Sequence, residues 1–262
     1  MSRTARRFDP VVPWLLPMGL IAVWQLGAGT GLISTRVLPS PAAVLLAAWH
    51  LGRSGELFHQ IEISAWRAAI GFAIGGGIGL GLGLLNGMVP PASRLFDSSL
   101  QMLRNVPHLA LIPLVILWFG IDEGAKLFLV ALGVFFPIYL NTYHGVRTVD
   151  AGLAEMARAY GLQGWSYFRQ VILPGALPSI LVGVRYALGI MWLTLIVAET
   201  ISSSSGIGYM TMNAREFLQT DVVVLGILVY ALLGKVADSA TRLLERHWLQ
   251  WHPAFQAMET AS

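Results

Sequence analysis

The sequence predicts an all-α integral membrane protein with about six transmembrane helices, and three observations carry that prediction. Of the 262 residues, 55% are apolar and only 12% charged, against a soluble norm of roughly 45–50% and about 25%. The apolar residues gather in long runs, and a helix needs about 20 such residues to cross a bilayer. Arginine and lysine are unevenly shared between the segments that join those runs, as membrane insertion demands. The net charge of +3 therefore reflects topology, and no nucleic-acid partner is expected. The absence of cysteine excludes disulfides, thiolate metal sites and a cysteine nucleophile. The six histidines form no i,i+4 pair, so no metal site is expected either.

The elements follow in order. Arg3, Arg6 and Arg7 precede an apolar run over residues 11–32, with Trp14 and Trp24 near its ends. The run exceeds the 7–15 residues of a signal-peptide core and is read as an uncleaved first span with its N-terminus in the cytoplasm. Residues 34–41 form a turn-rich exit, and residues 41–60 a short surface helix and loop on the outer side. The second span, residues 65–89, carries a ridge of Gly71, Gly75, Gly79, Gly83 and Gly87, with Gly77 and Gly81 beside it. Small residues four apart share one helix face and let another backbone approach in lipid. A phosphate-cradling role is disfavoured, because neither G-x-x-x-x-G-K-[S/T] nor G-x-G-x-x-G occurs.

Pro90 and Pro91 end that span. A third span, residues 106–121, carries Pro107 and Pro113 and should be kinked. The short acidic turn at Asp122 and Glu123 leads to a fourth span over residues 127–143. A fifth over residues 177–201, an outer loop over 202–220 and a sixth span over 222–237 complete the set. With this threading, twelve of the seventeen basic residues, including Arg94, Arg104, Arg147, Arg158 and Arg169, fall on the cytoplasmic side. The other five, Arg36, Arg53, Arg67, Lys126 and Arg215, fall outside. This bias places both termini in the cytoplasm. The domains read as residues 1–60 (N-terminal tail, first span, outer loop), 61–246 (transmembrane domain with a cytoplasmic loop at about 145–174) and 247–262 (cytoplasmic tail).

Residues 155–174 interrupt the apolar runs with a polar, arginine-bearing segment. Leu153, Met156, Ala157 and Tyr160 recur at i, i+3, i+4 and i+7, one stripe of a short helix. Asp150 is placed to cap its start, and Gly161 to end it through a left-handed turn. Glu155, Ala157, Gly161, Val171, Leu173 and Pro174 resemble the coupling signature of ABC importer permeases, E-A-A-x3-G-x9-I-x-L-P, with matching spacing. Met156 replaces the usual alanine and Val171 the isoleucine, and both keep an apolar surface. The longer strings at residues 101–121, 198–201 and 213–221 are similar to the permeases of bacterial aliphatic sulfonate importers, a subfamily that includes nitrate and taurine permeases.

The resemblance implies a type I ABC importer permease fold in the bacterial inner membrane. It also implies a homodimer in membrane lipid, two ABC ATPase subunits on the cytoplasmic face, and a periplasmic or lipid-anchored substrate-binding protein. The motif helix would dock on the ATPase. No cofactor is expected on this chain, with ATP and Mg on the partner ATPase, and the chain itself is not expected to be an enzyme. A secondary transporter is the rival from another class, but no inverted repeat is visible.

Polar residues at membrane depth are the remaining candidates. Arg185, Trp192 and Glu199 lie at i, i+7 and i+14 on one helix face, with Arg185 and Glu199 roughly 21 Å apart along the axis. Either this face borders the translocation path, or Arg185 snorkels to the inner interface while Glu199 meets outer water. Asn105 and His108 flank Pro107 and could line the inner mouth or anchor at the interface. Ser202 to Ser205 invite comparison with a serine protease, but the nearest histidines in sequence, His144 and His247, sit at the opposite ends of spans.

Overall fold

The computed structural model describes residues 12–251. The basic residues Arg3, Arg6 and Arg7, the first position of the predicted first span (Val11), and residues 252–262 of the predicted tail lie outside the described residues. All regular structure among the described residues is helical.

Helix α1 (Val12–Gly29) is apolar and largely exposed. It ends before the predicted limit because the chain turns at Thr30 and Gly31, whose φ is 75°. Helix α2 (Pro41–Arg53) is started by Ser40, whose side chain accepts a 3.2 Å bond from the Ala43 N–H, with Pro41 in the first turn. Gly55, at φ 81°, turns the chain directly into α3 (Glu56–Met88). This 33-residue helix starts nine positions before the predicted span, because Leu57, Gln60 and Ser64 continue the buried face of the glycine ridge.

The third span departs most from expectation. Residues 90–104, read as a connecting segment, form α4 (Pro90–Arg104), which has no buried residue. A 3₁₀ turn (His108–Leu111) then leads into the eight-residue α5 (Ile112–Phe119), and the two arms are bent by 80°. Pro107 supplies the break, since it has no N–H to continue α4. At roughly 12 Å, α5 cannot cross a bilayer by itself.

Helix α6 (Glu123–Arg147) runs through the centre of the bundle. The loop beyond it holds α7 (Ala151–Ala159) and α8 (Gly164–Tyr167). From α8 the chain passes through a π turn (Phe168–Ile172) into α9 (Leu173–Ser202), without a break from residue 164 to 201. The predicted outer loop contains α10 (Ile207–Glu216), and α11 (Thr220–Trp248) closes the described chain. By length and composition α3, α6, the run Gly164–Ile201 and α11 can each cross a membrane, and the bent pair makes a fifth span if counted as one. The 18-residue α1 is the remaining apolar helix of the predicted six.

Close backbone approach on both sides of α6 holds the centre together. A Cβ at Gly79 would lie 2.7 Å from the Phe135 carbonyl oxygen, one at Gly83 2.7 Å from Thr142 Cβ, and one at Gly87 2.7 Å from Val146 Cβ. Gly71 and Gly75 face Val130 and Ala131 in the same way. By contrast, Gly77 and Gly81 meet nothing within 4 Å. On the far side, Gly183 of α9 meets Asn141 and the Pro137 carbonyl, and Gly145 of α6 meets Ser179. Ser179 Oγ donates a 2.8 Å bond to the Asn141 carbonyl across this seam. Ala68, Val130, Val134, Ile138, Ala187, Met191 and Leu195 fill the core where α3, α6 and α9 meet.

Gly79→Leu is expected to lower stability by about 1–3 kcal/mol through overpacking, and Gly81→Leu by no more than about 0.5 kcal/mol. Thermal unfolding of the detergent-purified variants checks this. Equal melting of the two would show that the ridge is not what seats α3 on α6.

Candidate functional site

Helix α7 begins where Asp150 Oδ1 accepts a 2.9 Å bond from the Leu153 N–H. It ends with Gly161 at φ 76°, where the Gly161 N–H reaches the Arg158 carbonyl and the Leu162 N–H reaches the Ala157 carbonyl, both at 2.9 Å. This pair of bonds is a Schellman motif, which needs a residue that tolerates positive φ. The stripe predicted from periodicity splits: Ala157 is buried, whereas Leu153, Met156 and Tyr160 are exposed, Tyr160 at 81%. Glu155 is exposed as well, and Trp165 of α8 adds to the same exposed apolar set at 71%. The rear of the motif is anchored. Ile172 packs with Val146, Ala176 and Ile180, and Leu173 lies against them, with Val171 and Pro174 half-buried. The segment thus joins an outward-facing apolar helix to the root of α9.

At the opposite end of the bundle a buried network surrounds Glu199. Glu199 Oε1 accepts from Arg67 Nη1 at 2.8 Å and from Ser64 Oγ at 2.9 Å. Its Oε2 accepts from Ser64 Oγ, the Gly208 N–H and Tyr230 Oη, each at 2.9 Å. Arg67 uses all five of its donors. Nε and one Nη2 hydrogen go to Glu123 at 2.6 Å, Nη1 also reaches the Ser205 carbonyl at 2.7 Å, and Nη2 reaches Ser205 Oγ at 2.8 Å. Gln60 accepts from the Gly206 N–H, Ser64 from the Ile207 N–H, and the buried Lys126 donates to Glu123. The carboxylate of Glu199 also sits at the start of α10, where the helix dipole favours negative charge.

This arrangement corrects the sequence reading of Glu199. Its side chain is 0% exposed and paired with Arg67, itself 3% exposed, so within this chain it meets neither outer water nor an open route. In sequence Arg67 reads only as an outer charge, and Glu123 only as part of a turn. The available signal was Gln60, Ser64 and Arg67 at helical spacing ahead of the glycine ridge, polar groups that a membrane helix hides.

The other candidates are dispersed. His108 Nε2 lies 2.9 Å from Thr194 Oγ1, with Gly133 giving the room. Trp192 is half-buried, packs edge-on against Tyr230 at 6.1 Å, and its Nε1 has no hydrogen-bond partner among the described residues. Arg185 is exposed and donates to Asp238 of α11 at 2.8 Å. Asn105 is exposed at the end of α4 and borders a cleft of about 610 Å³ with Arg94, Asp97, Tyr143 and Arg147. Trp192 and Glu199 therefore share Tyr230 as a neighbour, whereas Arg185, on the same helix, lies apart from both. Among the described residues no group of three or more side chains is placed to hold a metal ion.

The described chain is thus a helical bundle with four helices long and apolar enough to cross a membrane and a capped, outward-facing loop helix. The family model for the binding-protein-dependent transport system inner membrane component matches residues 73–250, and the chain belongs to that family. It is 67% identical to the permease protein named for aliphatic sulfonates transport in Escherichia coli K12, over 95% of each chain. It is 51% identical to the one so named in Bacillus subtilis 168, over 96% of this chain and 91% of that one. The taurine transport system permease protein of E. coli K12 is 35% identical over 90% and 88%. Among solved structures, an amino acid ABC transporter chain superposes with TM-score 0.60 at 17% identity, covering 76% of this chain and 97% of that one. An inward-facing methionine ABC transporter gives TM-score 0.54 at 19% identity over 75% and 97%. These two share the fold. The resemblance carried by residues 155–174 is thereby borne out at the level of the family.

Glu199→Ala is expected to destabilise the protein by about 3–5 kcal/mol, because it leaves Arg67 buried with part of its pairing gone. The double variant Arg67→Met with Glu199→Met should recover much of that loss. Melting of the three purified proteins in detergent tests this, and an unchanged Glu199→Ala midpoint would rule the network out as a structural tie.

Proposed function

We propose that this chain is the permease subunit of an ATP-driven importer of aliphatic sulfonates, working by alternating access. The observation that carries the substrate is the 67% identity, over 95% of each chain, to a permease protein named for these compounds. In this reading two copies form the transmembrane unit in the lipid bilayer, with both termini and α7 in the cytoplasm. Two ABC ATPase subunits, which bind ATP and Mg, engage the loop at about 145–174, and a periplasmic or lipid-anchored binding protein delivers the cargo.

The geometry of α7 supports the coupling role. Leu153, Met156 and Tyr160 are exposed apolar side chains on a helix fixed at both ends, a surface that a partner subunit would cover. Glu155 adds a charge to that face, and Val171, Leu173 and Pro174 join it to α9. A push on α7 would pass through the π turn into α9 and bias the bundle between two access states. Asn105, His108, Arg185 and Trp192 are proposed to border the path, and Glu199 to hold the outer ends of the helices that enclose it.

Reconstituted permease, ATPase and binding protein should import alkanesulfonates, with taurine and nitrate as weaker competitors. Import of nitrate alone would overturn the substrate while leaving the architecture in place. Gly161→Val and Glu155→Lys are expected to leave the permease in the membrane but to reduce ATPase co-purification and uptake at least about tenfold, since a β-branched residue at φ 76° breaks the helix end. Unchanged co-purification and uptake in both variants would refute the coupling role.

A further inference from the structure

A groove of about 510 Å³ separates α9 from α11 and is bordered by Arg185, Tyr186, Gly189, Gly234 and Asp238. Asp238 is 10 residues before the end of α11 and Arg185 is 12 residues after the start of α9. At 1.5 Å per residue the pair lies roughly 15–18 Å in from those helix ends, at the half of the bundle that carries α7. The two oxygens of Asp238 are divided between two guanidinium groups, Oδ1 accepting from Arg185 Nε at 2.8 Å and Oδ2 from Arg242 Nη2. Two cations thus share one anion, and the cluster keeps a net positive charge in a region where an uncompensated charge is costly.

The unused donors define what could compensate it. Neither Nη1 nor Nη2 of Arg185 makes a hydrogen bond among the described residues, and neither do Nε and Nη1 of Arg242. A guanidinium with two parallel N–H groups to spare matches the paired oxygens of a tetrahedral oxyanion. Tyr186, 66% exposed, brings a hydroxyl to the same rim. Val182 and Leu188 supply apolar wall on which a carbon chain could lie.

The glycines support a site rather than a packing seam. A Cβ at Gly189 or Gly234 would meet nothing within 4 Å, unlike those at Gly79, Gly83 or Gly183. Contacts within this chain do not require glycine at these two positions. Their effect is to keep the groove wide.

We propose that the α9–α11 groove binds a tetrahedral monoanion, R–SO₃⁻ or a phosphodiester, on the free edge of Arg185, with Asp238, which accepts from Arg185 Nε and from Arg242, as the positioning residue for that guanidinium. That the anion is the sulfonate cargo rests on the proposed function. A phosphodiester would come from an anionic lipid headgroup.

The experiment uses the permease purified with its ATPase subunits, as wild type, Arg185→Gln and Gly234→Leu. Gly234→Leu adds bulk at a groove position where a Cβ meets nothing within 4 Å and leaves every charge in place, and thermal melting of the variant separates blocked access from a folding defect. In phosphatidylcholine nanodiscs, binding of radiolabelled ethanesulfonate is measured. In a second arm, retention of phosphatidylglycerol over phosphatidylcholine is followed by native mass spectrometry. Ethanesulfonate affinity lowered about tenfold or more in both variants identifies the cargo as the anion. Selective phosphatidylglycerol retention by wild type alone, without ethanesulfonate binding, identifies the headgroup and equally supports the site. Both variants matching wild type in both arms overturns it. Failure of the sulfonate reading shows elsewhere, as absent ethanesulfonate import by the wild-type complex supplied with its binding protein.

Discussion

The contact between Arg67 and Glu199 is the constraint around which the bundle is arranged. Through it α3, α6, α9, α10 and α11 meet at one end, and every donor of the guanidinium is used. A buried ion pair of this kind adds little net stability over an apolar substitute, because both charges have left water. Its value lies in geometry. Ser64 and Arg67 are one helical turn apart, and both reach Glu199 only when α3 has one rotation. The same face continues as Gly71, Gly75, Gly79, Gly83 and Gly87 against α6, so the rotation that satisfies the charges is also the one that lets the backbones touch.

What could be read from the sequence, and what could not, follows the range of the interactions. The glycine ridge shows because its period of four is local, and the fold confirms where such a face goes. The loop segment shows because Glu155, Gly161 and Pro174 stand at fixed offsets. Periodicity also marks Leu153, Met156 and Tyr160 as one face, yet it cannot say what that face meets, and among the described residues it stays largely exposed. Arg67 and Glu199 are 132 positions apart, and no local pattern links them. Pro107 announces a break but not its angle, which depends on how the 3₁₀ turn seats His108 against Thr194.

The two ends of the bundle differ in kind. At the Glu199 end Arg67, Glu123, Lys126 and Glu199 pair with one another inside the chain, and Ile207, Met210 and Tyr230 are buried. At the α7 end exposed apolar side chains, the cleft beside Arg147 and the groove beside Arg185 leave surface uncovered. The buried charge network lies at one end only, whereas surface is left open at both, including a cleft of about 830 Å³ bordered by Glu62, Trp66 and Glu123 at the Glu199 end.

The π turn at Phe168–Ile172 sets a phase for everything beyond it. A π turn holds one residue more than the α turn it replaces, and each residue advances a helix by about 100°. Shortening this turn by a single residue would turn α7 and α8 by about 100° relative to α9, whose own contacts hold Glu199 against Arg67 and Gly183 against Asn141. Length variation, usually tolerated in connecting segments, is therefore ruled out here. The stretch between the loop helix and the membrane behaves as a keyed shaft, whose count of residues matters as much as their identity.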